Sequence, residues 1–205
     1  MQRTDMTTKA LIIEGLSKAI SYSDYRKKVS QFVVEGQSSG PEQNQALADY
    51  TVLNDRRMKR FDKTITIDAK TVAKIESIIE PITLLVLTES WCGDAAPTVP
   101  VMNKIAEIND DIDFRVLWRD ENTELMHQFL THGAMSIPKL ILLGSDYEVF
   151  GTWGPRPKAA AKLVLDHKKK YGELLPDIKE ELQHWYNQDK GQTTLQEIVG
   201  LLPIQ

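Results

Sequence analysis

Ile82-Thr-Leu-Leu-Val-Leu87, followed by Thr88-Glu-Ser-Trp-Cys-Gly-Asp-Ala95, is the stretch on which the fold turns. Its first part is a continuous β-rich apolar run, the pattern of a strand covered on both faces. Its second part leads into a helical pattern from about Asp94 to Ile108, with Val99, Met102, Ile105 and Ala106 buried. A covered strand running into an apolar helix is the building unit of an α/β domain. Cys92 therefore stands at a strand–helix junction. Free backbone N–H groups and the positive end of the helix dipole point there.

The same grammar extends to both sides. Thr64-Ile-Thr-Ile67 alternates like a short strand, and Thr71 to Ile79 reads as a helix ended by Pro81. Phe114, Val116 and Trp118 alternate along another strand, and Leu125, Met126, Phe129 and Leu130 mark a helix. Lys139 to Leu143 and Tyr147 to Trp153 flank Gly144-Ser-Asp146 and read as a hairpin. Ala160, Leu163, Val164 and His167 mark the closing helix. The order βαβαβαββα predicts a mixed sheet with helices on both faces, spanning residues 63–172.

Residues 1–62 and 173–205 read as helical extensions. Tyr25, Val29, Phe32 and Val33 share a helical face behind the N-cap candidate Ser23, and Gly36-Gln-Ser-Ser-Gly-Pro41 is a loop. A further helix carries Leu47, Tyr50, Leu53, Met58 and Phe61 as its apolar stripe. Its Arg56, Arg57, Lys59 and Arg60 read as a solvated face, with phosphate or RNA binding as the alternative. Beyond Gly172 and Pro176, Ile178, Leu182, Trp185 and Tyr186, then Leu195, Ile198 and Leu202, form two helical patterns. These either cap the central domain or make a homodimer contact.

Composition narrows the function. Of 205 residues, 41% are apolar and 26% charged, an ordinary globular make-up that needs no disulfide staples. With 25 Lys plus Arg against 29 Asp plus Glu, the net charge is -4, which argues against nucleic-acid binding. One cysteine excludes an intramolecular disulfide, a thiolate zinc site and an iron–sulfur cluster. His127, His132, His167 and His184 form no metal motif, and a P-loop, dinucleotide fingerprint and nucleophile elbow are absent. His132 could approach Cys92 through the loop leading to Pro138 and form a Cys–His pair, though no hydrolase signature accompanies it. The longest apolar run, Ile82 to Leu87, is far short of the ~20 residues that span a bilayer. Met1 to Met6 and Leu11-Ile12-Ile13 make no secretory signal, so a cytoplasmic protein with a reduced thiol is expected.

At its junction Cys92 is either a partly ionised nucleophile or a small buried hydrophobe. Here the chain resembles the thioredoxin family. Trp91-Cys92-Gly93 looks like the start of the family's active-site motif, and Pro100 matches the proline in its active-site helix. Ser136-Ile137-Pro138 resembles the cis-proline loop, and Gly154 matches the glycine bordering the substrate groove. Trp-Cys-Gly-Asp-Ala with Trp153-Gly154-Pro155-Arg156 resembles a bacterial single-cysteine group with helical extensions. That likeness takes in Gly40-Pro41-Glu-Gln-Asn44 and Met58-Lys-Arg60.

The resemblance implies a thioredoxin-like fold, a catalytic Cys92, and a substrate groove of Trp91, Gly93, Asp94, Ile137, Pro138, Gly154 and Arg156. Pro138 would be cis, Ile137 would pair with substrate, and Trp91 would form a groove wall or pack in the core. Two departures limit it. Ala95 replaces the second cysteine of the pair, so no internal thiol can release a mixed disulfide. The family's buried acid would fall at Val86, which cannot titrate. Asp94 reads as a stabilising first-turn acid that would nevertheless raise the thiol pKa, as Glu89 would if it faced the site. Arg156 is the counter-charge candidate, the holder of a small thiol's carboxylate, or a solvated helix-start residue.

Two readings follow. One is a monothiol redox protein that needs no cofactor: Cys92 attacks a protein or small-molecule disulfide, and a low-molecular-weight thiol resolves the product. The other is a non-catalytic thioredoxin-fold module that binds a partner.

Overall fold

The computed structural model describes residues 7–173, 175 and 177–204, so Met1 to Met6 and Pro176 lie outside the described residues. The chain runs α1 (Thr8–Lys18), β1 (Ile20–Ser21), α2 (Tyr22–Glu35), α3 (Gln45–Thr64), α4 (Ala69–Glu76) and β2 (Ile82–Thr88). It continues α5 (Ala95–Ala106), β3 (Ile112–Trp118), α6 (Thr123–His127), β4 (Lys139–Leu143) and β5 (Val149–Trp153). Helices α7 (Lys158–Tyr171), α8 (Asp177–Asp189) and α9 (Gln192–Val199) close it.

The apolar run makes β2 the middle of a five-stranded sheet of order β1-β3-β2-β4-β5. It pairs parallel with β3, Ile82 opposite Ile112 through Thr88 opposite Trp118, and antiparallel with β4, Thr83 opposite Leu143 through Leu87 opposite Lys139. From Leu84 onward every β2 side chain is buried, as a strand sandwiched between layers requires.

The first edge strand differs from expectation. Thr64-Ile-Thr-Ile67 is not a strand: α3 runs through Thr64, and the following residues connect it to α4. The edge beside β3 is taken by Ile20 and Ser21, antiparallel to Val116 and Arg115. Two β-branched pairs at a helix end satisfy an alternating pattern without any partner strand, which is why the signal misled. Ser21, not Ser23, caps α2: its hydroxyl accepts from Asp24 N–H.

Helix α5 is buried almost all round, from Ala95 to Met102 and at Ile105. A helix apolar on every side needs cover beyond one sheet face. Helix α3, which precedes the central strand in the chain, and helix α9, near its C-terminal end, supply that cover. The C-terminal patterns accordingly bury Ile178, Leu182, Tyr186, Leu195, Ile198 and Leu202 within the chain.

Helix α3 buries a different face from the one its apolar stripe indicates. Met58 and Phe61 are core, but Leu53 is exposed and the rest of the buried face is Ala48, Thr51, Asn54 and Asp55. Those polar groups are inside because each has a partner there.

Candidate functional site

The β2–β4 register builds the site. Because Leu87 stands opposite Lys139, the residues after β2 lie beside those before β4, and Cys92 meets Ile137. The Ile137–Pro138 peptide is cis, as the resemblance implies. The Cys92 thiol donates to the Ile137 carbonyl at 3.3 Å. Gly154 stands behind this loop with φ +116, and a Cβ there would lie 2.2 Å from the Pro138 carbonyl oxygen. Only glycine lets the two segments approach so closely.

A cleft of about 410 Å³ opens over the thiol. Trp91, Cys92, Gly93, Asp94, Ile137 and Arg156 line it, while Pro138 and Gly154 support it from behind. The opposite wall comes from two helices distant in sequence: Leu47, Tyr50 and Arg57 of α3, and Lys179, Leu182 and Gln183 of α8. Trp91 both lines the cleft and packs on the core, with Arg119 stacked 5.2 Å over its ring. His132 is exposed and lies off the cleft lining.

Asp94 departs from its expected first-turn role. It occupies the N-cap position of α5 but makes no side-chain capping bond. Its buried carboxylate instead pairs with Arg156 Nη2 at 2.7 Å and accepts from the Tyr186 hydroxyl at 2.9 Å. Burial raises its pKa, against the pull of Arg156 and Tyr186. Tyr186 in turn is pushed well above its ordinary value by burial and by Asp94. Arg156 is thus the counter-charge to Asp94.

The surroundings of the thiol disfavour its ionised form. Cys92 is 6% exposed, and burial, with Asp94 adding to it, pushes its pKa up to about 12. The backbone N–H groups of Ala95 and Asp94 and the Arg156 charge pull the other way. The donors expected at a strand–helix junction are present. They are outweighed by the cost of an anion in a buried site beside a carboxylate.

Glu89 lies on the other flank. Fully buried, it accepts from the Ser39 hydroxyl and from Asp120 N–H at 2.8 Å. Burial pushes its pKa up to about 7, against those two hydrogen bonds. Around it, Ser39 N–H donates to Ser90 Oγ at 2.9 Å, and Ser90 N–H donates to Ser39 Oγ at 2.7 Å. Thr51 Oγ1 and Ser90 Oγ lie 2.8 Å apart, and Asn54 Nδ2 donates to the Ser90 carbonyl at 3.0 Å.

This network fixes the loop that carries Trp91 and Cys92, and sequence reading missed it. The available signal was Thr51 and Asn54, three apart on one helix face and interrupting the apolar stripe. Among the described residues no group of three or more His, Cys, Asp or Glu could hold a metal. None of the described helices is long and apolar enough to cross a membrane.

A mixed sheet of order β1-β3-β2-β4-β5, with a cysteine beyond its central strand and a cis-proline beside it, is a thioredoxin-like fold. The family profile described as Thioredoxin matches residues 40–174, well over half the chain, and the protein belongs to that family. It is 34% identical over 80 residues to "Putative thioredoxin 2" of Streptomyces coelicolor, which is 39% of this chain and 58% of that protein. The chain thus spans little more than half the length of this curated relative.

Two solved structures show the fold. A Pseudomonas aeruginosa protein of unknown function superposes with TM-score 0.57 at 17% identity, over 73% of this chain and 83% of its own. An HIV epitope-scaffold gives TM-score 0.57 at 15% identity, over 89% and 97%.

Proposed function

We propose that this is a thioredoxin-like redox protein that works with one thiol and forms mixed disulfides with protein or small-molecule disulfides. The observation that carries the reading is Cys92 on the cleft beside cis Ile137–Pro138, hydrogen-bonded to the Ile137 carbonyl. Family membership supports it. The Cys92 thiolate attacks one sulfur of a bound disulfide. The S–S bond of that disulfide breaks, and the departing thiolate leaves with the electron pair and takes up a proton. An external thiol completes the exchange, because the Ala95 methyl cannot attack. A lone thiol of this kind suits a reducing compartment such as a bacterial cytoplasm.

The raised thiol pKa shapes the chemistry. Little thiolate exists near neutrality, so free disulfides react slowly and residence in the cleft controls the rate. A high-pKa thiolate is a strong nucleophile once formed but a poor leaving group, so the mixed disulfide is long-lived.

Burial of the same thiol favours a second reading, a binding module whose cysteine never reacts. Incubation with bis(2-hydroxyethyl) disulfide, followed by intact mass, separates the two. The redox reading expects one adduct on the folded protein, none on Cys92→Ser, and release by excess low-molecular-weight thiol. An adduct that forms only in urea leaves the binding module.

A further inference from the structure

We propose that the cleft over Cys92 selects a small disulfide or thiol bearing carboxylates, held by Arg57 and Lys179, one cation from each helical extension. This rests on the redox reading of Cys92 and names its substrate class.

The charge on the cleft carries the argument. Its one lining carboxylate, Asp94, is already held by Arg156 and Tyr186. Arg57 and Lys179 have no carboxylate partner among the described residues. Arg57 is half-buried, and its guanidinium donates to Asn54 Oδ1 at 3.4 Å. Of its basic neighbours on α3, Lys59 pairs with Asp55 at 2.7 Å and Arg60 bonds to Asn187, while Arg56 is exposed. Lys179 donates to the Tyr50 hydroxyl at 2.9 Å and lies 5.4 Å over the Tyr50 ring, which fixes its head at the cleft. Arg156 binds Asp94 through Nη2, while its buried Nε finds no acceptor among the described residues.

Desolvation followed by the charge of Arg60 lowers the Arg57 pKa, so an anion at this point relieves an unmatched charge. A planar guanidinium binds a carboxylate through two parallel hydrogen bonds.

Size and lining fix the rest. A volume of about 410 Å³ falls in the small-molecule range of roughly 300–1,000 Å³. Leu47, Trp91, Ile137 and Leu182 give apolar walls to a short stem between sulfur and carboxylate. A second cleft of about 440 Å³ shares Tyr50, Arg57, Lys179 and Gln183 and ends at Glu180 and Asn187. The two cations therefore stand where the clefts join, within reach of a ligand whose sulfur is at Cys92.

Three probes test this: oxidised glutathione, with two carboxylates on each half, neutral bis(2-hydroxyethyl) disulfide, and cationic cystamine. Adduct formation on Cys92 is followed by intact mass at low salt, each rate divided by that of the urea-unfolded chain. In each reaction the probe's S–S bond breaks, a Cys92–probe disulfide forms, and the other half leaves as its thiol. The expected preference for oxidised glutathione over cystamine is about tenfold, collapsing in a folded Arg57→Gln/Lys179→Gln variant and in high salt. No preference, or one unchanged in the folded double variant, overturns the proposal.

If no probe reacts, the redox reading fails, and binding of unreactive S-methylglutathione by calorimetry decides the anion site. Binding weakened about tenfold in the double variant upholds the site, and absence of binding to the wild-type protein overturns it.

Discussion

Glu89 and Asp94 flank Cys92 from opposite sides and are both nearly inaccessible, at 0% and 7% exposure, yet the protein treats them differently. Asp94 receives a cation, Arg156, and a phenol, Tyr186 from α8. Glu89 receives a hydroxyl from Ser39, in the loop before α3, and a backbone N–H from Asp120. The partner set decides what each carboxyl can do. Burial raises both carboxyls; at Asp94 the Arg156 charge and the Tyr186 hydroxyl oppose that rise, and the Asp94 charge adds to the suppression of the neighbouring thiolate. At Glu89 the Ser39 hydroxyl and the Asp120 N–H oppose it, with the Arg119 charge a smaller contribution, and the pKa is pushed up to about 7. Each side of the thiol is thereby tied to a residue distant in sequence, Ser39 on one flank and Tyr186 on the other.

Removing the cation tests the Asp94 side most severely. Arg156→Met leaves a buried carboxylate unpaired and is expected to cost about 3–5 kcal/mol in urea unfolding at neutral pH. The cost should shrink as pH falls and Asp94 takes a proton; an equal loss at every pH would mean that Arg156 matters only through packing.

Glu89 gives the next largest effect. Its folded pKa lies above its unfolded one, so its contribution is complete below about 4.5 and is lost as pH rises through about 7. That rise corresponds to ~3 kcal/mol. Wild-type stability should therefore fall across this window relative to Glu89→Gln, measured by urea midpoints at matched pH. Parallel profiles for the two proteins would show that Glu89 does not titrate there.

The smallest effect reads the contrast through the sulfur itself. Asp94→Asn removes a like charge that raises the thiol, so the Cys92 pKa should drop from about 12. Alkylation by iodoacetamide at fixed pH should then speed up roughly tenfold. An unchanged rate would assign the whole suppression to burial.

Much of the frame was legible in the sequence. Ile82 to Leu87 reads as a covered strand because no polar residue but Thr83 interrupts it, and Gly144-Ser-Asp146 marks the hairpin by turn chemistry. The edge strand was not legible, since Ile20–Ser21 is too short to carry a period. At the site, the strand–helix junction pointed to Cys92, and the family resemblance to Trp91, Ile137, Pro138 and Gly154. They could not reach Ser39, Thr51, Asn54 or Tyr186, whose partners lie far away in sequence and are met only after folding. How far the thiol ionises was not legible either, for a related reason. Helix-end donors are local and can be read, whereas burial is set by how α3 and α8 pack.

That packing has a consequence for the sulfur. Leu182 of α8 shares the lining with Cys92, and Tyr186 one turn on holds Asp94. Reagents too bulky for the gap meet the sulfur only during brief local openings of the tail. Their labelling rate is then the opening equilibrium multiplied by the intrinsic rate of a free thiol. The one cysteine thus serves as a gauge of tail docking, whose reading is the fraction of time the C-terminal helices stand away from the sheet.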